Sequence, residues 1–165
     1  MKNLFDKKAL EIIRKFLLVN QETIAVAESV TSGFIQAAFS MAEEASQFYQ
    51  GGITAYNLGQ KYRHLRIEPI HALKCNCVSE KIAQDMALHV CDLFHSNWGI
   101  GITGYAAPVP ESDNELYAYY AIAHKNKIIL ARKISAQKDD SIKIQLFYTN
   151  KVLADLSDCI LNIHK

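Results

Sequence analysis

The sequence predicts an α/β protein, a three-layer α/β/α sandwich with a mixed sheet. Short apolar runs of strand length alternate with segments in which apolar residues recur at helical spacing. Late in the chain, two such runs flank Lys125-Asn126 like a β-hairpin, which makes neighbouring strands antiparallel, whereas the earlier crossovers permit parallel ones. The 165 residues, 50% of them hydrophobic, suffice for one core. We therefore expect a single domain over residues 1–165.

The first half of the chain predicts two helices and two strands. Apolar spacing indicates a surface helix over Leu4–Leu18. The almost wholly apolar run Thr23–Ala27 predicts a buried strand, and the small and polar residues of Glu28–Gly33 then indicate the start of a helix. Ser29 would lie at this junction. Phe48–Tyr56 predicts a second strand, followed by a turn and a short helix.

The second half predicts a helix, a strand, a hairpin and a closing helix. Ser79 can cap the first of these helices. Trp98–Gly104 resembles a buried strand in which glycines permit close backbone approach, and Leu116–His124 and Lys127–Ile134 form the hairpin. The expected buried stripe of the closing helix consists of Ile142, Leu146, Val152, Leu153, Leu156 and Ile160.

Composition argues against several classes of partner. Eighteen Lys and Arg against 17 Asp and Glu leave a formal net charge of +1, so no field of one sign would attract nucleic acid or an anionic membrane. No apolar run approaches the about 20 residues that span a bilayer. Four cysteines without a secretory leader at the N-terminus indicate reduced thiols. We expect a cytoplasmic protein.

Neither a metal site nor an organic cofactor is predicted. The pair Cys75-x-Cys77 matches no standard zinc spacing, and His89 and Cys91 would face different directions on a helix. The glycines of residues 99–104 fit neither the dinucleotide fingerprint nor the P-loop.

Ser29 and Lys61 are the first candidates for catalysis. A hydroxyl between a strand end and a helix start lies near free N–H groups, which could stabilise an oxyanion. The simpler interpretation is that Ser29 and Thr31 only cap the helix. The glycine-flanked elbow of Ser-His-Asp hydrolases is missing, but Lys61, five positions after Tyr56, could act as a base if it is buried. Otherwise it is an ordinary exposed lysine.

Four segments resemble one known family in order and spacing. Ala27–Gly33 is similar to the pattern A-E-S-C-T-G-G, and Gly51–Lys61 is similar to G-G-x-x-A-Y-x-x-x-x-K. Val78–Glu80 opens the next helix, and Gly101–Pro108 is similar to a loop of the form T-G-x-A-G-P. Together these segments resemble the CinA C-terminal family, whose active members are serine amidases that remove the amide of nicotinamide mononucleotide.

The resemblance implies a catalytic mechanism for this chain. Ser29 would be the nucleophile and Lys61 its base, with Tyr56 and Thr103 as polar supports, so the Lys61 amine should lie shielded from water within hydrogen-bond distance of Ser29 Oγ. Amide hydrolysis would pass through an acyl-enzyme and release ammonia, with no cofactor. The substrate is expected to be a small-molecule amide, with a nucleotide as the family's example, and a homodimer is compatible with such a domain. The candidate substrate-binding residues are Thr31, Gly33, Gly52, Thr103, Gly104 and Lys143.

The sequence departs from the family where a phosphate would be bound. Residues 107–113 replace a glycine-rich stretch, remove two N–H groups through proline and add two acids. In the family's G-D-R-x-x-I-R pattern, Asp139 stands at one arginine position and Lys143 at the other. Three hypotheses follow: a nicotinamide mononucleotide amidase with altered contacts and weak turnover, an amidase for a different amide, or a catalytically silent binding domain. The first is the working hypothesis.

Overall fold

Residues 4–163, which the computed structural model describes, contain five strands and seven α-helices. The strands are β1 (Ile24–Glu28), β2 (Tyr49–Thr54), β3 (Trp98–Gly104), β4 (Tyr117–His124) and β5 (Lys127–Ser135). The helices are α1 (Lys7–Asn20), α2 (Phe34–Ser40), α3 (Ala45–Phe48), α4 (Leu58–Leu65), α5 (Pro69–Lys74), α6 (Glu80–Phe94) and α7 (Ser141–Asn162). A 3₁₀ turn covers Pro110–Ser112.

The strands form one mixed sheet in the order β2-β1-β3-β4-β5. β1 pairs in parallel with both β2 and β3, whereas β4 runs antiparallel to β3 and to β5. Lys125 and Asn126 connect β4 to β5 with φ angles of 49° and 62°, the left-handed conformation that a two-residue hairpin turn requires. The predicted mixed sheet and hairpin are both confirmed.

Helices cover both faces of the sheet, which confirms the three-layer arrangement. Successive side chains of a strand point to opposite faces. In β1, Ile24 and Val26 join a core with α1, α2, α3 and α7, whereas Ala25 and Ala27 join a second core with α4, α5 and α6. Because both faces of β1 are covered, its burial is continuous and its sequence is apolar throughout, apart from the terminal Glu28.

Two glycines of β3 allow α6 to lie directly on the sheet. A Cβ atom at Gly101 would lie 2.3 Å from the carbonyl oxygen of Ala83, and one at Gly99 would lie 2.2 Å from that of Ala87. Such distances are far inside van der Waals contact, so the backbones approach too closely for any side chain. This packing fixes α6 and therefore the loop that precedes it.

The buried stripe of α7 differs from the prediction at its start. Ile142 is 62% exposed, and Leu146 is only partly buried. The buried residues instead recur every fourth position from Ile144 through Tyr148 to Ile160, on the face directed to the sheet. Ile142 lies two positions from Ile144, and such residues point to nearly opposite sides of a helix.

The region after β1 also differs from the prediction. Residues 29–33 form turns, and α2 begins only at Phe34. The short helices α3 and α5 are not evident from apolar periodicity, because four and six residues are too few to show it. No helix in the described part of the chain is long and apolar enough to cross a membrane.

We predict that Gly101→Ala destabilises the protein by about 1–3 kcal/mol, because α6 must move away from β3 to admit the methyl group. Urea unfolding of the variant and of the native protein measures this difference. Gly59→Ala in α4 is the matched control, because the nearest atom to its Cβ would be 3.5 Å away and alanine favours helix. Equal stability of Gly101→Ala and the native protein would contradict the close packing.

Candidate active site

The candidate site lies where the carboxyl ends of three parallel strands meet. Ser29 follows β1, Ala55 and Tyr56 follow β2, and Thr103 and Gly104 end β3. A cavity of about 540 Å³ opens there, a volume in the range of small-molecule sites. Loops at this edge carry most of its lining, and the beginning of α7 completes it.

Lys61 and Ser29 are in direct contact within this cavity. Lys61 Nζ lies 2.9 Å from Ser29 Oγ, and the two residues are only 1% and 6% exposed. The Lys61 amine also lies 2.8 Å from the carbonyl oxygen of Ala55 and 3.1 Å from that of Tyr56. The expected contact and the expected shielding of Lys61 from water are confirmed.

Burial lowers the pKa of Lys61 from 10.5 to about 8, because the charged amine loses hydration, and the neighbouring Cys77 partly opposes this shift. A neutral amine has two N–H groups and one lone pair. The two carbonyl oxygens can only accept hydrogen bonds, so they hold the two N–H groups. The lone pair is then left for the hydroxyl of Ser29, which is the arrangement that a general base requires.

The carboxylate of Glu28 shapes the turn that carries Ser29. It is fully buried and accepts hydrogen bonds from the hydroxyl of Thr31 and from the backbone N–H groups of Gly33, Ile35 and Gln36. The first N–H groups of α2 are therefore occupied. This differs from the expectation that the helix start would stabilise an oxyanion, because an acid inside the chain already uses those donors.

Two other N–H groups next to Ser29 remain available. The N–H of Ser29 itself donates to the carbonyl of Ile102 at 3.1 Å. The N–H groups of Val30 and Thr31 have no acceptor among residues 4–163. Val30 lines the cavity and Thr31 does not, so the N–H group of Val30 is the donor that can stabilise an oxyanion beside the nucleophile.

Thr103 fixes the opposite side of the cavity. Its hydroxyl donates to the carbonyl of Cys77 at 2.7 Å and so ties β3 to the loop before α6. Asn76 and Cys77 in this loop both have positive φ angles, 48° and 59°.

Burial raises the pKa of the Cys77 thiol, with Lys61 acting in the opposite direction, so the thiol is protonated at neutral pH. Ser29, which contacts the Lys61 amine, is therefore a better candidate for the nucleophile than the protonated thiol of Cys77.

Five of the predicted site residues lie at the cavity: Ser29, Lys61, Tyr56, Thr103 and Gly104. Tyr56 contributes differently from the expectation, since the residue is 76% exposed and its carbonyl oxygen makes the contact with Lys61. Gly104 permits β3 to pass close to β4, because a Cβ there would lie 2.4 Å from the Tyr117 carbonyl oxygen.

Three other predicted residues have structural contacts away from the cavity. Thr31 is buried against Glu28, and Gly33 donates its N–H to the same carboxylate in a left-handed conformation with φ of 103°. Gly52 allows β2 to approach β1, because a Cβ there would lie 2.6 Å from the carbonyl oxygen of Val26. None of the three is among the described residues that line the cavity.

Lys143 also lies outside the cavity lining. Its amine is exposed and pairs with Asp139 at 3.0 Å and with Asp140 at 3.7 Å. Lys143 therefore pairs with the aspartate that stands at one of the family's arginine positions. Lys143, which was predicted to bind the substrate, is thus not among the described residues that line the cavity.

Sequence reasoning missed three residues that organise the site. Glu28 lies in the recognised motif, and an acid ending an apolar strand was the signal for its buried role. Gln145 of α7 donates to the carbonyl of Val30 at 2.8 Å, and Asn76 donates to the hydroxyl of Tyr105 at 3.0 Å. Both join segments distant in sequence, so no local pattern could indicate them.

The available chemistry is that of a nucleophile and a base. Within the described residues, no cluster of three or more His, Cys, Asp or Glu side chains could hold a metal ion. A buried serine with a lysine base and adjacent N–H donors matches the requirements of acyl transfer.

Two curated relatives that match this chain in sequence are CinA-like proteins. A CinA-like protein from Picosynechococcus sp. is 41% identical over 97 residues, which cover 59% of this chain and 23% of the relative. A CinA-like protein from Prochlorococcus marinus (strain MIT 9515) is 31% identical over 157 residues, which cover 93% and 36%. The matched regions thus span about a quarter to a third of these curated relatives.

Solved structures share the fold at low sequence identity. Competence damage-inducible protein A from Klebsiella pneumoniae superposes with a TM-score of 0.88 at 20% identity, covering 94% of this chain and 97% of that one. A CinA superfamily protein from Escherichia coli gives 0.85 at 22% identity, with coverages of 94% and 91%. The sequence profile of the CinA C-terminal domain matches residues 6–160. The chain therefore belongs to the CinA C-terminal domain family.

Proposed function

We propose that this protein is a serine amidohydrolase that hydrolyses a carboxamide and releases ammonia. The observation that carries the proposal is the 2.9 Å contact between Ser29 Oγ and the buried amine of Lys61, whose pKa is lowered to about 8. Burying a lysine amine costs stability, and a domain that only binds a ligand gains nothing from a base beside a hydroxyl. The contact between Ser29 and Lys61 therefore favours a catalytic function over the alternative of a catalytically silent binding domain.

In the first half of the proposed reaction, Ser29 Oγ attacks the carbonyl carbon of the amide while neutral Lys61 takes the hydroxyl proton. The carbonyl oxygen becomes an oxyanion, which the N–H group of Val30 stabilises. The C–N bond then breaks, and Lys61 returns the proton to the departing nitrogen. Ammonia leaves, and an ester on Ser29 remains.

In the second half, a water molecule takes the place of ammonia. Lys61 removes a proton from this water as its oxygen attacks the ester carbonyl, and the proton then passes to Ser29 Oγ as the ester bond breaks. The products are the free hydroxyl of Ser29 and a carboxylic acid. No cofactor is required for either half.

Nicotinamide mononucleotide is the first substrate to test, because the resemblance of the motifs to the family implies it. The cavity is large enough for a small molecule of this kind. A different amide is the alternative substrate, so the assay includes nucleotide, nucleoside and simpler aromatic and aliphatic carboxamides.

We predict that the purified protein releases ammonia from at least one amide of this panel, and that Ser29→Ala lowers the rate by about 10³-fold or more. Ammonia is measured directly with a coupled assay. Ser40→Ala is the matched control, because Ser40 is exposed on α2 and its hydroxyl bonds only to the carbonyl of Ala37. Full activity of Ser29→Ala, or no release from any amide of the panel, would refute the proposed function.

We further predict a pH signature of Lys61 in protein stability. Its pKa is about 8 in the folded state and 10.5 as a free side chain, so between these values the unfolded state binds more protons. The free energy of unfolding of the native protein should therefore rise with pH across this window relative to Lys61→Met. The slope is at most about 1.4 kcal/mol per pH unit, for a total on the order of 3 kcal/mol.

Urea unfolding of both proteins from pH 7 to pH 10 measures this difference. The comparison with Lys61→Met removes, to first order, the contributions of cysteines and tyrosines that titrate in the same range. Parallel stability curves for the two proteins would show that the pKa of Lys61 is not lowered by folding.

A further inference from the structure

The carbonyl oxygen of Val30 has no hydrogen-bond partner within the turn that carries the nucleophile. The carbonyls on either side of it, those of Ser29 and Thr31, accept N–H groups from three positions further along the chain at 3.2 and 3.0 Å. The carbonyl of Val30 accepts no backbone N–H group in the described part of the chain. An acceptor directly after the nucleophile therefore depends on a donor from outside the turn.

The side chain of Gln145, in α7, supplies this donor. Its Nε2 donates to the carbonyl of Val30 at 2.8 Å, and no other donor among residues 4–163 reaches that oxygen. Because a carbonyl can only accept, the nitrogen end of the Gln145 amide must face Val30. Gln145 is partly buried and lines the cavity that contains Ser29. The contact thus joins α7 to the nucleophile turn at the wall of the site.

The packing of α7 holds Gln145 in a fixed position. Ile144 and Tyr148, one position before it and three after it, are buried on the face directed to the sheet. The hydroxyl of Tyr148 also donates to the carbonyl of Tyr105 at 3.0 Å and so ties the helix to the loop after β3. A side chain on a packed helix is held more precisely than one on a loop. Gln145 therefore connects the nucleophile turn to a rigid element.

Two residues of the nucleophile turn have a left-handed backbone. The φ angle is 51° at Ser32 and 103° at Gly33. Glycine adopts this conformation freely, whereas Ser32 adopts it at a cost in free energy. Such a conformation persists where surrounding contacts offset the cost. The shape of the turn therefore depends on its contacts with other elements.

The hydrogen bonds that hold the turn are distributed along it. At its start, the N–H of Ser29 donates to the carbonyl of Ile102 in β3 at 3.1 Å. At its end, the turn donates to the buried carboxylate of Glu28. Val30, between these two points, has one hydrogen bond to the described residues, the one from Gln145. This bond therefore fixes the part of the turn that the other two do not reach.

The bond from Gln145 limits how the backbone of Val30 can rotate. A peptide group is planar, so a held carbonyl determines the direction of the whole plane between Val30 and Thr31. The side chain of Val30 is only 5% exposed and packs in the core. With its carbonyl and its side chain both held, Val30 keeps one direction for its N–H group, the donor that lies beside the nucleophile.

We propose that Gln145 is a positioning residue, which keeps the N–H of Val30 directed at the oxyanion by holding the Val30 carbonyl. The inference rests on the proposed amidase function and adds a residue that acts on its nucleophile turn. Gln145 does not touch the reacting atoms in this role. Its loss should therefore slow the chemical step and leave substrate binding nearly unchanged.

Gln145→Met tests the proposal, because methionine is also long and unbranched but donates no hydrogen bond from its side chain. Ammonia release from nicotinamide mononucleotide gives kcat and KM, with the best amide of the panel in its place if the mononucleotide is not hydrolysed. We expect kcat to fall about tenfold, less than the about hundredfold cost of losing an oxyanion donor outright, and KM to stay within about twofold. The rate should still level off above about pH 8, because Lys61 is unchanged.

Two further variants separate the lost hydrogen bond from a lost contact. Gln145→Glu keeps the shape of the side chain, but its carboxylate offers only acceptors to the Val30 carbonyl, so kcat should fall at least as far. Gln84→Met is the matched control. Gln84 is also a partly buried glutamine on a helix, and its amide donates to the side chain of Glu80 at 3.2 Å, outside the cavity lining. This control should change neither kcat nor KM.

Hydrogen exchange tests the same contact without a substrate. Ser29, Ser32 and Gly33 have hydrogen-bonded N–H groups in the turn. Mass spectrometry of the peptide that contains them should show faster exchange in Gln145→Met than in the native protein. Gln84→Met should exchange like the native protein in this peptide.

The outcomes separate this inference from the amidase function. A raised KM with native kcat would show that Gln145 binds the substrate directly, and this result overturns the positioning role, as do native values of both constants. No ammonia from any amide overturns the amidase function. The exchange measurement then still decides whether Gln145 holds the turn, and equal exchange in Gln145→Met and the native protein overturns the inference.

Discussion

The burial of one amine is the constraint on which the rest of the site depends. Lys61 is removed from water, and the three oxygens that surround it come from the ends of two neighbouring strands. The short passage from β2 (ending at Thr54) into α4 (beginning at Leu58) places this side chain there, and Asn57 begins the helix by accepting a hydrogen bond from the N–H of Gln60. The sheet edge, the base and the nucleophile thus form one unit, in which the carbonyl contacts orient the lone pair of Lys61.

The same site contains a second buried titratable group, Glu28, with a different role. Glu28 accepts four hydrogen bonds and holds the turn of residues 29–33, in which the N–H group of Val30 has no acceptor among residues 4–163. The close packing of α6 on β3 supports the far side of the cavity through the Thr103 contact. Burial of the Lys61 amine costs stability, as is common for groups in catalytic sites, whereas the buried polar groups of Glu28 and Thr103 have hydrogen-bond partners.

The sequence was informative where short-range patterns decide the structure. Continuous apolar runs predicted the buried strands, Lys125-Asn126 predicted the hairpin, and the motifs in register predicted the contact between Ser29 and Lys61. Lys143 was expected near a substrate because its position matched a family arginine, and in the structure its amine pairs with Asp139, four positions away. No sequence pattern indicated the contacts that depend on a distant partner. Gln145 contacts Val30 across 115 positions, which no periodicity can reveal.

The central claim is that Lys61 activates Ser29, and the rate of covalent labelling of Ser29 tests it without knowledge of the substrate. The protein is treated with phenylmethylsulfonyl fluoride from pH 6 to pH 10, and mass spectrometry of the intact protein and its peptides locates and times the modification. We predict labelling at Ser29 with a rate that rises about tenfold per pH unit and levels off above about pH 8, and loss of this labelling in Lys61→Met. A rate that does not depend on pH near 8, or equal labelling of Lys61→Met, would contradict it.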